Sequence, residues 1–305
     1  MTDQVETVRP MTDRMESPRS AADQMEAVRQ VTDRMERIDD LQRNGCRIIQ
    51  RQDLFCFGMD AVLLAAWAVA KRGNRVLDLC AGNGIVPILM DARLPEEVRK
   101  EGSIHFTGVE INPVSVDLAR RSARMNGQSE RMEFLAGDIR MIGRKPSLLK
   151  SGNIGSEDTD PESGVHENRY VDLAPDSFDV VTVNPPYLTE GGGPGGASDD
   201  QIIARQEVLC TIDDVAGAAA RALKQTGHLY LVHRPHRLGD IFLALNRHYL
   251  GVKSLRMVHP FADKEAKLVL IDAVKGGRMY VHIQKPMIIY REAGVYTEEL
   301  KALYG

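Results

Sequence analysis

Asn184-Pro185-Pro186-Tyr187 brings together the groups needed to hold a flat amine for reaction. The side-chain oxygen of Asn184 and the main-chain carbonyl of Pro185 both accept hydrogen bonds. The two prolines add no competing amide N–H, and their rings fix φ at roughly −65°, so the loop is stiff. Tyr187 offers an aromatic face for stacking. An exocyclic amine on an aromatic ring is a poor nucleophile because its lone pair is delocalised. Two acceptors on its N–H groups orient the nitrogen and stabilise the positive charge that develops as it attacks an electrophilic carbon. The same four residues elsewhere are a rigid turn, so the reading depends on what surrounds them.

A second group of residues fits a cofactor. Asp78, Gly82 and Gly84 stand in DLCAGNG, where glycines permit a tight turn close to a ligand and a carboxylate can accept from a cationic amino-acid moiety or from hydroxyls. Glu110, before Ile111-Asn112-Pro113, suits a ribose hydroxyl pair. Asp138 and Ile139 together suit an adenine amino group and ring face. A single acid at a loop is usually a cap or a solvated carboxylate, but three at the ends of successive strands favour a shared ligand. The glycines do not complete GxGxxG and no lysine-bearing phosphate loop is present, so a cofactor without a pyrophosphate fits better than NAD or ATP.

The elements that must position these groups alternate. Apolar runs predict strands over 75–80, 104–110, 132–138, 178–184 and 227–234, with a helix over 113–125 that has Pro near its start and Asn126-Gly127 behind it. Such alternation implies a largely parallel, doubly wound α/β sheet. Residues 240–249 predict a helix. Residues 253–259 and 267–274 predict a pair of late strands that can add an antiparallel edge, and 279–290 has further strand character. Upstream, 47–50 reads as an edge strand. Phe55, Phe57 and Met59 then lead into an apolar helix over 61–67, with Asp60 as its N-cap or as part of the cofactor enclosure.

Flanking and intervening segments differ in composition. The first forty residues form four related decamers, each with Asp at its third position and Glu at its sixth; Pro10 and Pro18 interrupt any helix, so 1–40 reads as a flexible arm outside the catalytic domain of 41–305. About 145–175 reads as an acidic flexible insertion. The net charge of −4 gives no global argument for nucleic acid, but 221–275 holds ten Lys or Arg against four Asp or Glu, with five histidines, which permits a basic face. No apolar run reaches the roughly 18 residues of a membrane span. Cys46, Cys56, Cys80 and Cys210 read as reduced thiols of a cytoplasmic protein, and the histidines form no local metal motif.

In order along the chain, FGMDAVLLAAW, DLCAGNGIVPI, GVEINPVSVDLARRSARMN, NPPY, IARQEVLCTIDD, LYLVHRPHRL and HPFADKEAKLVLIDAVKGG resemble the bacterial tRNA adenine-N6 methyltransferases that modify the adenosine after the anticodon of a valine tRNA. This family lies within the Rossmann-like S-adenosylmethionine-dependent methyltransferases. The resemblance implies a three-layer sandwich around a mostly parallel seven-stranded sheet with an antiparallel edge strand. It implies S-adenosylmethionine held by Phe57, Asp60, Asp78, Gly82, Gly84, Glu110, Asp138, Ile139 and Asn184, with no metal required. Catalysis falls to Asn184, Pro185, Pro186 and Tyr187, and tRNA contacts to Tyr187 and, where the fold brings them together, to Arg205, Arg234, Arg237, Lys264 and Lys267; Gly191–Gly196 reads equally as an entry for a flipped base and as a flexible exposed loop. The arm, the insertion and Gln206, where relatives commonly have histidine, depart from the pattern. The same reactive loop occurs in enzymes acting on ribosomal RNA, DNA or protein glutamine, and an inactive RNA-binding module is the reading from another class.

Overall fold

Valine, isoleucine and leucine fill the central strands on both sides, and that is the pattern of a sheet covered by helices on each face. The computed structural model describes residues 35–54, 56–144, 171–186, 210–278 and 280–304. Nearly all of the repetitive arm, most of the acidic insertion, Tyr187, Gly191–Gly196 and Arg205 therefore lie outside the described residues.

The described elements run β1 (Glu36–Asp40), β2 (Arg47–Arg51), α1 (Met59–Trp67), β3 (Arg75–Leu79), α2 (Ile85–Ala92), α3 (Glu96–Glu101), β4 (His105–Glu110), α4 (Pro113–Met125), β5 (Met132–Ala136), β6 (Phe178–Val183), α5 (Ile212–Ala222), β7 (Leu223–His233), α6 (Leu238–Arg247), β8 (Leu250–His259) and β9 (Leu268–Lys275). Four short strands, β10 (His282–Ile283), β11 (Met287–Ile288), β12 (Tyr290–Glu292) and β13 (Val295–Tyr296), and the final helix α7 (Glu298–Tyr304) complete them. Neighbouring side chains of one strand enter different cores. Val76 joins α1, α2 and α4 in one apolar layer, while Leu77 and Leu79 join α5 and α6 in the other. This is the three-layer sandwich expected from the sequence.

The main sheet has the order β8-β9-β7-β6-β3-β4-β5, with the two-residue strands β10 and β11 added along the free edge of β8. Its seven long strands match the expected number. Strand β9 is antiparallel to both neighbours and stands between β7 and β8, so the reversed strand is one place in from the edge. The physical reason is connectivity: α6 carries the chain past the position next to β7, and the short turn after β8 lets β9 fill it.

Strand β2 corrects another expectation. It pairs with β1 in a separate two-stranded sheet and does not edge the main one. Side chains of the neighbouring helix satisfy its backbone: Ile49 N donates to Ser122 Oγ at 3.0 Å and Arg47 N to Asn126 Oδ1 at 2.9 Å. Strand β1 lies inside the segment read as the arm.

Helix starts follow local chemistry. Asn112 caps α4 by accepting from Val114 N at 2.9 Å with Pro113 in the first turn, and Thr211 and Asp214 form a reciprocal capping box at α5.

Candidate functional site at the carboxyl rim of the sheet

The chain leaves β3 through three left-handed residues, Cys80 (φ 57°), Gly82 (φ 53°) and Gly84 (φ 83°), before entering α2. A Cβ on Gly82 would meet nothing within 4 Å, which leaves open space beside the loop. At Gly84 it would lie 2.7 Å from the ring of Phe134, so there the absence of a side chain serves packing as well as conformation. Gly82 N donates to Glu110 Oε2 at 3.0 Å and Asn112 N to Glu110 Oε1 at 2.9 Å, which fixes this carboxylate at the end of β4 against the glycine loop. Loss of hydration raises its pKa despite those bonds.

Asp78 is buried within β3, and Thr182 of the adjacent β6 donates to it at 2.6 Å. Burial pushes this carboxyl up to about 7, with the hydrogen bond opposing and the nearby Glu110 charge reinforcing the rise. Asp138 is also buried, but its carboxylate accepts from Arg140 N at 2.9 Å and from the Arg140 guanidinium at 2.9 Å, so it caps a short 3-10 turn and forms an ion pair. Ile139 is buried beside it.

Asp60 departs from its expected place. The N-cap of α1 is Gly58, and Asp60 is the second helical residue, accepting from Ala61 N at 2.9 Å. Its oxygen stands 2.8 Å from where a Cβ on Gly58 would be, which favours glycine at the cap. Phe57 is held at the entrance by its N–H, which donates to Gln50 Oε1 at 3.1 Å, while Gln50 itself is buried and also bonds Asp39. Asn83, between the two loop glycines, donates to Ile49 O at 3.2 Å. The path Asn83, Ile49, Gln50, Phe57 thus ties the entrance segment to the glycine loop.

Strand register places the segment Asn184-Pro185-Pro186. Leu79 pairs with Val183, so Cys80 and Asn184 leave the sheet side by side. Pro185 is buried and Asn184 and Pro186 are half-buried. Leu231 pairs with Val183, and His233 pairs with Val269, which also pairs with Met257. Because β9 runs backwards, the segments 184–186, 234–237 and 260–267 emerge on the same rim.

Arg234, Arg237, Lys264 and Lys267 therefore share one edge with Asn184. Arg234 donates to Lys267 O at 3.4 Å, and the charges of Arg237 and Lys264 are partly met by Asp240 at 2.8 Å and Asp263 at 3.5 Å. His233 is buried behind them; burial lowers its pKa to about 4, and Arg234 N–H donates to Nδ1 at 2.8 Å.

Sequence reading did not single out Thr182, Gln50, Asn83, Arg140 or Gly108. Two carried a legible signal: Thr182 is the polar residue inside FDVVTV, and Gly108 interrupts HFTGVE, where a strand glycine marks a close approach. All four cysteines are free, and among them Cys46 alone is buried. Among the described residues, no group of three His, Cys, Asp or Glu side chains is placed to hold a metal ion, and no helix is long and apolar enough to cross a membrane.

No protein-family profile matches the chain. A curated tRNA1(Val) (adenine(37)-N6)-methyltransferase of Porphyromonas gingivalis is 25% identical over 236 residues, covering 76% of each chain. One of Phocaeicola vulgatus is 25% identical over 214 residues, covering 70% of this chain and 74% of the relative. Among solved structures, a predicted O-methyltransferase of Agrobacterium tumefaciens aligns with a TM-score of 0.58 at 24% identity, over 81% of this chain and 95% of that one. The family resemblance read from the motifs is the one these relatives carry, and the fold is the Rossmann-like methyltransferase fold.

Proposed function

We propose that this chain, a Rossmann-like methyltransferase similar to the tRNA1(Val) enzymes, transfers a methyl group from S-adenosylmethionine to the N6 amino group of an adenosine in tRNA, next to the anticodon of a valine tRNA. The observation that carries this reading is the register that sets Asn184 beside the end of β3, next to the glycine loop, Asp78 and Glu110. The open space at Gly82 and the fixed carboxylate of Glu110 fit a nucleoside with a free ribose diol, and a buried carboxyl at Asp78 fits a cationic amino-acid end. Phe57 and Asp60 close the entrance, Ile139 offers an apolar face to the adenine ring, and Asp138 reaches the base only with the oxygen capacity Arg140 leaves. The bound cofactor supplies an electrophilic methyl group.

The chain's own residues do the rest. The Asn184 side-chain oxygen and the Pro185 carbonyl accept the two N–H groups of the target amine, turning its lone pair out of conjugation and toward the donor. Pro186 keeps the loop stiff, and Tyr187 stacks on the base. As the N–C bond forms, the nitrogen becomes cationic and these acceptors stabilise it; its proton then leaves to solvent. Arg205, Arg234, Arg237, Lys264 and Lys267 steer the phosphate backbone to the rim, and the target adenosine must flip out of its loop stack. Such a substrate is found in the cytoplasm.

The test is methylation of unmodified transcribed tRNA by the purified protein, with nucleoside mass analysis and mapping. N6-methyladenosine beside the valine anticodon is expected, with S-adenosylhomocysteine release falling at least 100-fold in Asn184→Ala, on the order of removing one transition-state acceptor. Equal release by both proteins overturns the role of Asn184. Methylation of ribosomal RNA, DNA or a protein glutamine instead overturns the acceptor.

A further inference from the structure

The rim residues do not account for the chain after β9. From Gly276 to Arg291 it contains Arg278, Lys285, Arg291 and His282 and no acidic residue, in a protein whose overall charge is −4. This stretch is fastened along the outer edge of the main sheet. β10 pairs with Ser254 and Leu255, and β11 with Val258 and His259. Between them Gln284 N donates to Leu255 O at 2.9 Å and Arg256 Nε to Lys285 O at 2.9 Å. At the amino-terminal end Lys253 Nζ donates to Arg278 O at 2.8 Å. The backbone is therefore a fixed rail of about 17 Å beside β8, from the level of Ser254 to that of His259.

The rail and the residues that lead into it display exposed apolar and cationic side chains. Tyr280 is 79% exposed and Ile283 68% exposed, and Arg278 and Lys285 are exposed. Neither Arg278 nor Lys285 has a carboxylate partner among the described residues, whereas most other arginines and lysines near this edge do: Arg256 with Glu299, Lys275 with Asp176, Lys264 with Asp263. At its far end the rail reaches Tyr290, which packs against Phe261 and Tyr296, on the rim that carries Lys264 and Lys267. Unneutralised cations interleaved with an exposed aromatic, on a rigid edge that leads to the reactive rim, match a nucleic-acid backbone with an unstacked base.

We propose that this outer edge is a second RNA-binding surface, in which Arg278 and Lys285 contact phosphates and Tyr280 stacks on a base, guiding the strand toward the rim. It rests on the reading of tRNA as substrate. The competing account is that cations and Pro286 guard an exposed edge strand against pairing with another chain.

The experiment compares wild type with Arg278→Gln/Lys285→Gln and with Tyr280→Ala, measuring tRNA binding across a salt series, S-adenosylmethionine binding, and oligomeric state. In the double variant the slope of log K against log salt falls by about 0.7–0.9 for each lost cation. In Tyr280→Ala the dissociation constant rises roughly fivefold or more at unchanged slope. Cofactor binding stays at the wild-type value in both. If wild type methylates tRNA and the variants bind it equally well with equal slopes, the second surface is wrong while the enzymatic reading stands. If wild type methylates no tRNA yet the variants lose binding to it, the surface stands and the activity fails. Wild type that does not bind tRNA overturns the surface. Variants that self-associate while binding tRNA normally as monomers make the cations edge guards and overturn it too.

Discussion

Gly108 and Gly84 depend on the same aromatic ring, and that makes a sharp prediction. In Gly108→Ala the new Cβ would lie 2.5 Å from Cδ1 and 2.8 Å from Cε1 of Phe134, with the Ala81 Cβ at 3.0 Å behind it. Phe134 is buried, and its Cε1 also lies 2.9 Å from where a Cβ on Gly84 would stand, so the ring is fitted against both glycines and has little room to yield. Overpacking of this kind costs about 1–3 kcal/mol. For a domain of this size that lowers the melting temperature by roughly 2–12 °C.

Phe134→Leu shortens the ring and relieves the clash, so the double variant is more stable than the sum of the two single effects predicts, by about 1 kcal/mol or more. Gly84→Ala is rescued less completely, because its φ of 83° costs a side chain about 1–2 kcal/mol whatever Phe134 becomes. Thermal melts and urea titrations of the six proteins read this directly. Gly108→Ala melting within about 1 °C of wild type, or effects that add to within about 0.3 kcal/mol, refutes the shared wedge.

The buried carboxyl of Asp78, raised from its ordinary 3.8 to about 7, binds its proton more tightly in the folded chain than in the unfolded one. Its contribution to stability is therefore present at low pH and lost as pH rises through about 4 to 7, by on the order of 4 kcal/mol. Melting temperatures of cofactor-free wild type and Asp78→Asn across that range test this: the variant flattens the fall, and an identical fall in both excludes Asp78 as its source. Arg131 donates two bonds, at 2.6 and 2.7 Å, to the fully buried Asp91, so Arg131→Ala leaves a carboxylate with Gln128 alone and costs about 3–5 kcal/mol in urea unfolding. A second substitution, Asp91→Asn, recovers much of that loss; no recovery means the cost is packing and not stranded charge.

The succession of strands along the chain and the glycine turn after β3 were legible because each is written in contiguous residues. RVLDL, FTGVE and FDVVTV carry buried strands in their own composition, and DLCAGNG needs its glycines where φ is positive. Other features depend on residues far apart in the chain. Gln50 reads as a polar residue on a short strand, and only tertiary packing shows it buried between Asp39 and the Phe57 N–H. Asp138 reads as an open carboxylate at a strand end, whereas Arg140, two residues away, already occupies it in a local ion pair. Asp60 reads as the cap but stands two residues past it, because the N-cap is Gly58, which needs no side chain to serve. The reversed strand could be seen as late and antiparallel, but its insertion inside β8 is a choice between two topologies of nearly equal local propensity.

The backward course of β9 separates two kinds of evolutionary freedom. On one side of β6 lie the glycine loop and the carboxylates of β3 and β4; on the other, turns hung from β7, β8 and β9 reach the same edge. A lineage can lengthen, recharge or exchange those turns and so present a different surface at that edge, while inheriting the glycine loop and its carboxylates unaltered. Kin that share this scaffold yet serve different acceptors are a natural outcome of that division.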